Sequence, residues 1–260
     1  MRKLGINISC REKMDLNEYL GTVKALGFDN TFSTTRPIET MYAFADAVAK
    51  AGMTYETVHA PFKNINDIWH DGEAGDVALA LIASGVDAAS EVGAPVSVIH
   101  LSSGTSNLPP TDIGRARFTK LIEYAASKNI TLAFENTRKL ANIAWIFEEF
   151  ADADNVRYCF DCGHESCFTP GREYLPIFGH KLICTHLHDN DGTADEHLLP
   201  FDRSIDFARV TRQIKESKYE GSLMLEVSGT SPFYDKYTDI EFLERAASVA
   251  KRLRQMVDGK

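Results

Sequence analysis

Histidines and acids recur in this sequence at the trailing ends of short apolar runs. The runs are Val58-His59-Ala60-Pro61-Phe62, Ile99-His100-Leu101, Phe134-Glu135-Asn136-Thr137, Phe160-Asp161-Cys162-Gly163-His164, Thr185-His186-Leu187-His188-Asp189 and Leu225-Glu226-Val227-Ser228-Gly229. These residue types bind divalent cations and move protons, and an acid among Phe, Leu and Val is expensive to bury unless it is paired or holds a cation. If Glu135, Asp161 and Glu226 converge, their repulsion raises the pKa of at least one of them unless a positive charge sits among them. A divalent metal removes that conflict. Two Glu and one Asp with a His nitrogen make a mixed donor set that suits Mn, Co or Zn and leaves positions open for substrate oxygens. Each acid taken alone is equally readable as a helix N-cap or a loop ion pair; their recurrence in register favours a site. His186 and His188 stand two apart on a strand and share a face, so one suffices as a ligand while the other orients a ligand or bonds substrate. His59 and His100 are each open to a substrate or second-metal role, or to a hydrogen-bonded position at the edge of the site.

The segment Asp189-Asn190-Asp191-Gly192-Thr193-Ala194-Asp195-Glu196-His197 has the polarity of a solvated turn. Its Asp195-x-His197 spacing, taken with His164 three residues beyond Asp161, adds a cluster for substrate hydroxyls or for further metals. Phe62, Trp69 and Phe168 fall in loops on the same side, where they either line a sugar pocket or pack the loops.

The elements that must position these groups alternate. Strand patterns cover 4–9, 29–34, 54–60, 96–102, 131–136, 156–161, 182–188 and 222–228, each followed by a helical pattern. Leu16, Tyr19, Leu20, Val23 and Leu26 recur at helical spacing, as do Ile240, Leu243, Ala246, Ala247, Ala250 and Leu253. Gly27, Gly52 and Gly93 mark helix ends, and Asp15 and Asp112 are candidate N-caps. Pro170-Gly171 and Pro176 leave room for only a short sixth helix near 172–178. Strict alternation demands parallel strands with right-handed crossovers, and eight units close into an α/β fold, a single (β/α)8 TIM barrel spanning 1–260 as one domain. An open doubly wound sheet would carry a Gly-rich phosphate fingerprint after its first strand, and Ser9-Cys10-Arg11-Glu12 is not one.

The 260 residues are 44% hydrophobic and 25% charged with a formal charge of −9, which excludes a disordered chain and argues against nucleic acid as a partner. No apolar run is long enough for a membrane span, and five cysteines fit a reducing, cytoplasmic setting. Cys159-x-x-Cys162 reads as small buried thiols more readily than as a zinc or redox pair. Homo-oligomers stay open, since the outer helices of a barrel can pair subunits.

With these residues in place, the sequence resembles the xylose isomerase-like TIM-barrel superfamily, in particular its sugar phosphate isomerase/epimerase branch. The resemblance rests on His59-Ala60-Pro61, Glu135-Asn136-Thr137, Asp161-x-x-His164, the run from His186 through Asp195-Glu196-His197, and Glu226. It implies Glu135, Asp161, His186 and Glu226 as ligands of one divalent metal, with His164 and His188 beside the substrate. His59, His100, Asp195 and His197 join them as expected substrate contacts. The implied activity is a metal-dependent sugar or sugar phosphate isomerase or epimerase that abstracts a proton next to a carbonyl through an enediolate, with Glu135 and Glu226 as base and acid. The same superfamily holds AP endonucleases, whose three-zinc site resembles His59, His100, Glu135, Asp161, His164, His186, Asp195, His197 and Glu226 here. A multi-zinc phosphodiesterase is therefore the second expectation, and a sugar-binding module without catalysis a third. No Gly-rich phosphate cradle follows strands seven and eight, only Ser228-Gly229-Thr230-Ser231.

Overall fold

The computed structural model describes residues 1–8, 10, 11, 14–104 and 108–259. Among them run β1 (Leu4–Asn7), β2 (Asn30–Thr34), β3 (Thr54–His59), β4 (Val96–Ile99), β5 (Thr131–Glu135), β6 (Val156–Asp161), β7 (Leu182–His186) and β8 (Leu223–Leu225). The paired strands are all parallel, and their order in space is β7-β6-β5-β4-β3-β2-β1-β8. The two ends of that order meet: Leu187 bridges Leu225, and its N–H donates to the Met224 carbonyl at 2.8 Å. The result is the expected (β/α)8 barrel, nearly closed. The first strand ends at Asn7, and Ser9, Glu12 and Lys13 lie outside the described residues.

The helices are α1 (Leu16–Leu26), α2 (Ile38–Lys50), α3 (Glu73–Glu91), α4 (Asp112–Ser127), α5 (Leu140–Glu149), α6 (Cys162–Phe168), α7 (Leu175–Phe178), α8 (Phe207–Glu216) and α9 (Asp239–Asp258). Asp15 caps α1 by accepting from the Asn17 and Glu18 N–H groups, and Gly27 ends it at φ 102°, a conformation that favours glycine. α4 departs from expectation: Thr111 is its cap and Asp112 its first residue. The stretch between β6 and β7 also differs. A full helix, α6, begins directly at the strand end, before the Pro170-Gly171 break, and only the four-residue α7 falls near 172–178. The start signal is Asp161 itself, whose carboxylate accepts the His164 N–H at 2.6 Å. Asp161 is thus strand end and helix cap at once, the N-cap reading that its residue type allows.

Successive side chains on a strand alternate faces, so residues two apart point the same way. Val98 with His100, Ala133 with Glu135, Cys159 with Asp161, Cys184 with His186 and Met224 with Glu226 each share a face. Val98, Ala133, Cys159 and Cys184 form a buried cluster of their own beneath the polar groups. The packing is close enough that a Cβ on Gly5 would fall 2.4 Å from Met224 Cε. Cys159 lies within β6 and Cys162 opens α6; burial pushes both thiols well above the ordinary range, so neither supplies a reactive thiolate. Among the described residues no helix is long and apolar enough to cross a membrane.

Candidate active site

Glu135, Asp161, His186 and Glu226 reach one spot from β5, β6, β7 and the residue just past β8, with one donor atom from each lying within 4.8 Å of the others. His186 Nδ1 is 2.6 Å from Glu135 Oε1 and 3.1 Å from Glu226 Oε2, and its ring stacks on Phe32 at 4.7 Å. Glu135, Asp161 and His186 are at most 1% exposed. Burial alone lowers the His186 pKa, but the Glu226 and Glu135 carboxylates overcome it and hold it well above its ordinary value. Burial likewise opposes ionisation of Glu135, yet His186 and His100 hold its carboxyl well below the usual range.

The Glu135, Asp161 and Glu226 carboxylates, the first two buried and the last half-buried, crowd one spot around a single imidazole, an arrangement that a divalent cation would neutralise. The donor set fits one: three carboxylates and one imidazole converge beside a cavity that Glu135 and Glu226 line, which leaves a hard to borderline metal positions open to substrate.

Glu135 also faces the other way. Its Oε2 lies 2.5 Å from His100 Nε2 and 3.2 Å from His59 Nε2, a second group of possible metal donors. Burial depresses the His100 pKa. A third group centres on Asp195 Oδ2, 3.1 Å from His164 Nε2 and 3.3 Å from His197 Nε2. Against the cost of burial, Asp161 and Asp195 push His164 up to about 10, and Asp195 and Glu226 push His197 up to about 9. Asp195 Oδ1 is buried without a hydrogen-bond partner among the described residues. His188 spans the groups: its Nε2 is 3.1 Å from both Asp161 oxygens and its ring stacks on His197 at 4.1 Å. All ten residues singled out from sequence are thus brought to one barrel mouth. His186, not His188, is the histidine grouped with Glu135, Asp161 and Glu226.

The cavity above these groups has a volume of about 330 Å³, with Phe62 stacked on His100 at 4.4 Å and Phe168 on His164 at 4.9 Å. Trp69 is different. It is 1% exposed, packs against Phe118 and Trp145, and its Nε1 donates to the Leu101 carbonyl at 2.9 Å, so it holds loops together. A larger cavity, about 770 Å³, opens at the opposite end of the barrel around Lys3, Asn30, Glu56 and Ser222, away from these donors.

Two asparagines support the site, Asn136 from the Glu135-Asn136-Thr137 motif and Asn7, which no sequence motif marks. Asn136, fully buried, accepts the Asp161 N–H at 2.9 Å and donates to the Asp161 carbonyl at 2.8 Å, while its own carbonyl lies 2.9 Å from His164 Nδ1. Asn7 holds Val227, next to Glu226, through bonds of 2.9 and 3.1 Å. His197 adopts φ 50°, an uncommon backbone state for a residue with a side chain, and its Nδ1 is 3.1 Å from the Glu226 carbonyl. Gly163 is needed for space: a Cβ there would fall 1.9 Å from His188 Cε1. Gly163→Ala is therefore expected to displace His188 and lower activity by about 10²-fold, the cost of roughly 1 Å of misplacement. Steady-state kinetics on folded variant checks this, and wild-type rates would contradict it.

Residues 14–255 match the family described as xylose isomerase-like TIM barrel. The chain belongs to that family. A curated relative is the uncharacterised protein y4fM of Sinorhizobium fredii, 28% identical over 83% of this chain and 81% of its own length. Among solved structures, D-psicose 3-epimerase with D-tagatose from Clostridium cellulolyticum H10 superposes with a TM-score of 0.77 at 15% identity, covering 98% of this chain and 99% of that one. A D-tagatose 3-epimerase-like protein gives 0.75 at 20% identity, covering 99% and 98%. At these identities the two structures establish the shared xylose isomerase-like barrel and nothing finer.

Proposed function

We propose that this family member is a divalent-metal-dependent sugar isomerase or epimerase. The observation that carries the reading is the convergence of Glu135 and Glu226 on His186 with Asp161 in the same group, the two glutamates lining a cavity with aromatic walls. The names of the epimerase neighbours support sugars as the substrate class. Glu135, Asp161, His186 and Glu226 would hold a metal of the Mn, Co or Zn type. When bound it would polarise the sugar carbonyl and stabilise the enediolate charge.

The chain's own groups do the rest. Glu135 and Glu226 reach the spot from β5 and from beyond β8, and one removes the proton from the carbon beside the carbonyl. Return of a proton by the other carboxylate on the opposite face epimerises; transfer on a single face isomerises. His59, His100, His164, Asp195 and His197 line the cavity and offer partners to the hydroxyls, His188 stands behind them, fully buried against Asp161, and Phe62 and Phe168 cover the apolar face of the sugar and exclude water. The test is a panel of ketoses and aldoses incubated with metal-loaded protein; formation of an epimer or isomer supports the reading, and none across the panel overturns it.

One observation favours a second reading. The His59–His100–Glu135 group and a His188–His197–Glu226 group flank the first and share its Glu135 and Glu226 carboxylates, an arrangement that suits a two- or three-metal phosphodiesterase. Elemental analysis of protein purified without added metal or chelator separates the two. About one equivalent per chain is expected; two or three equivalents of zinc with cleavage of phosphodiesters would put the second reading first.

A further inference from the structure

Beside the candidate active site, a separate cavity of about 330 Å³ is lined by Arg138, Lys139, Arg172, Asn142 and Thr169 with the Leu108–Pro110 edge. Three cations and no acid line it, in a chain whose formal charge is −9. Arg138 is held in place over the Phe168 ring, 3.5 Å from its centroid.

The cavity meets the start of α5. Lys139 occupies the cap position without any side-chain cap bond, so the first-turn N–H groups at Leu140 and Ala141 lack the partner that a Ser, Asp or Asn would give, and the helix dipole adds positive potential there. A second observation is independent of the helix end. Asn142 lines the same cavity and is 3% exposed, and its side-chain Nδ2 is buried with no hydrogen-bond partner among the described residues. A buried amide donor is seldom left unmatched unless an acceptor arrives from outside the chain. Guanidinium groups, an ammonium, uncapped N–H groups and an orphan amide are all donors, the complement of an oxyanion.

We infer that this cavity binds the phosphate of a phosphorylated sugar whose reacting end lies among the Glu135 and Glu226 carboxylates. The inference rests on the sugar isomerase or epimerase reading and narrows its substrate class to a sugar phosphate. The two cavities adjoin and share a wall, because Arg138 lines both and Thr169 follows Phe168, which lines the catalytic one. A phosphate monoester carries about −1.5 to −2 charge near pH 7 with three acceptor oxygens, and so suits three cations better than a singly charged carboxylate does. The site lies after strands five and six, where no Gly-rich motif marks it; its donors are an Arg-Lys pair, an Asn and a distant Arg.

The test is calorimetric titration of the full-length, chelator-treated protein with inorganic phosphate at constant ionic strength, so that no metal can take up the anion. Wild type is expected to bind phosphate, and K139A/R172A at least about tenfold more weakly; Arg172 is exposed and Lys139 half-buried, so the fold survives their loss. Acetate is expected to bind more weakly than phosphate. Failure of wild type to bind, equal binding by the variant, or a preference for acetate would each overturn the phosphate site. The titration needs no turnover, so a failure of the sugar chemistry appears separately, as an absence of product from any sugar.

Discussion

Glu135→Gln is expected to lower turnover by about 10³-fold or more while leaving the barrel folded, towards the upper part of the roughly 10²–10⁴ that a positioned acid or base contributes. Gln keeps the volume and a carbonyl oxygen toward His186, but it removes the basicity and the charge that hold His186, His100 and His59 around one carboxylate. Because Glu135 is also a proposed metal donor, the comparison belongs at saturating metal, with kcat read apart from metal affinity. Circular dichroism checks the fold. A folded Glu135→Gln protein with wild-type kcat would remove Glu135 from the proton transfer. Glu226→Gln distinguishes the two carboxylates: if Glu135 removes the proton, this variant still exchanges the substrate proton with solvent but forms no epimer.

Stripping the metal is expected to abolish activity, and restoring Mn, Co or Zn to recover it. The same ion should stabilise the fold, by about 2.7 kcal/mol when present at a hundredfold excess over its dissociation constant. That appears as a rise in the unfolding midpoint which grows with metal concentration and is lost in Asp161→Asn. The pH dependence has a definite sign. Without metal, His186 is held protonated well above its ordinary value by Glu226 and Glu135, so a metal must displace that proton to use the nitrogen. Affinity therefore weakens as pH falls, by about tenfold per pH unit for each proton released. A midpoint indifferent to metal, or binding that strengthens in acid, would contradict the donor set.

The barrel was legible because short strand-like runs rich in Val, Ile, Leu, Phe and Thr alternate with helices that carry clear spacing and stops, such as Asp15 and Gly27 around α1. The site was legible for the same reason: Glu135, Asp161 and His186 interrupt or end such runs, and parity alone turns each inward with the residue two before it. Sequence spacing could not say which way Glu135 divides its two oxygens, since that depends on three strands meeting across the barrel. It also left His186 and His188 equivalent; the space that Gly163 leaves for His188 beside Asp161 separates them. α6 escaped notice because Asp161 serves as strand end and helix cap at once. The Glu135-Asn136-Thr137 motif marks Asn136 but not its role, and nothing local marks the Arg138–Lys139–Arg172 group, because each works through a partner distant in the chain or through a cavity that no local pattern records.

The most direct test of the central claim is solvent deuterium uptake, followed by NMR, into ketoses incubated in D2O with metal-loaded protein. The account predicts metal-dependent replacement of the hydrogen on the carbon beside the carbonyl, lost in Glu135→Gln and lost again on chelation. Absence of exchange into any ketose, free or phosphorylated, from folded and metal-replete protein would contradict it.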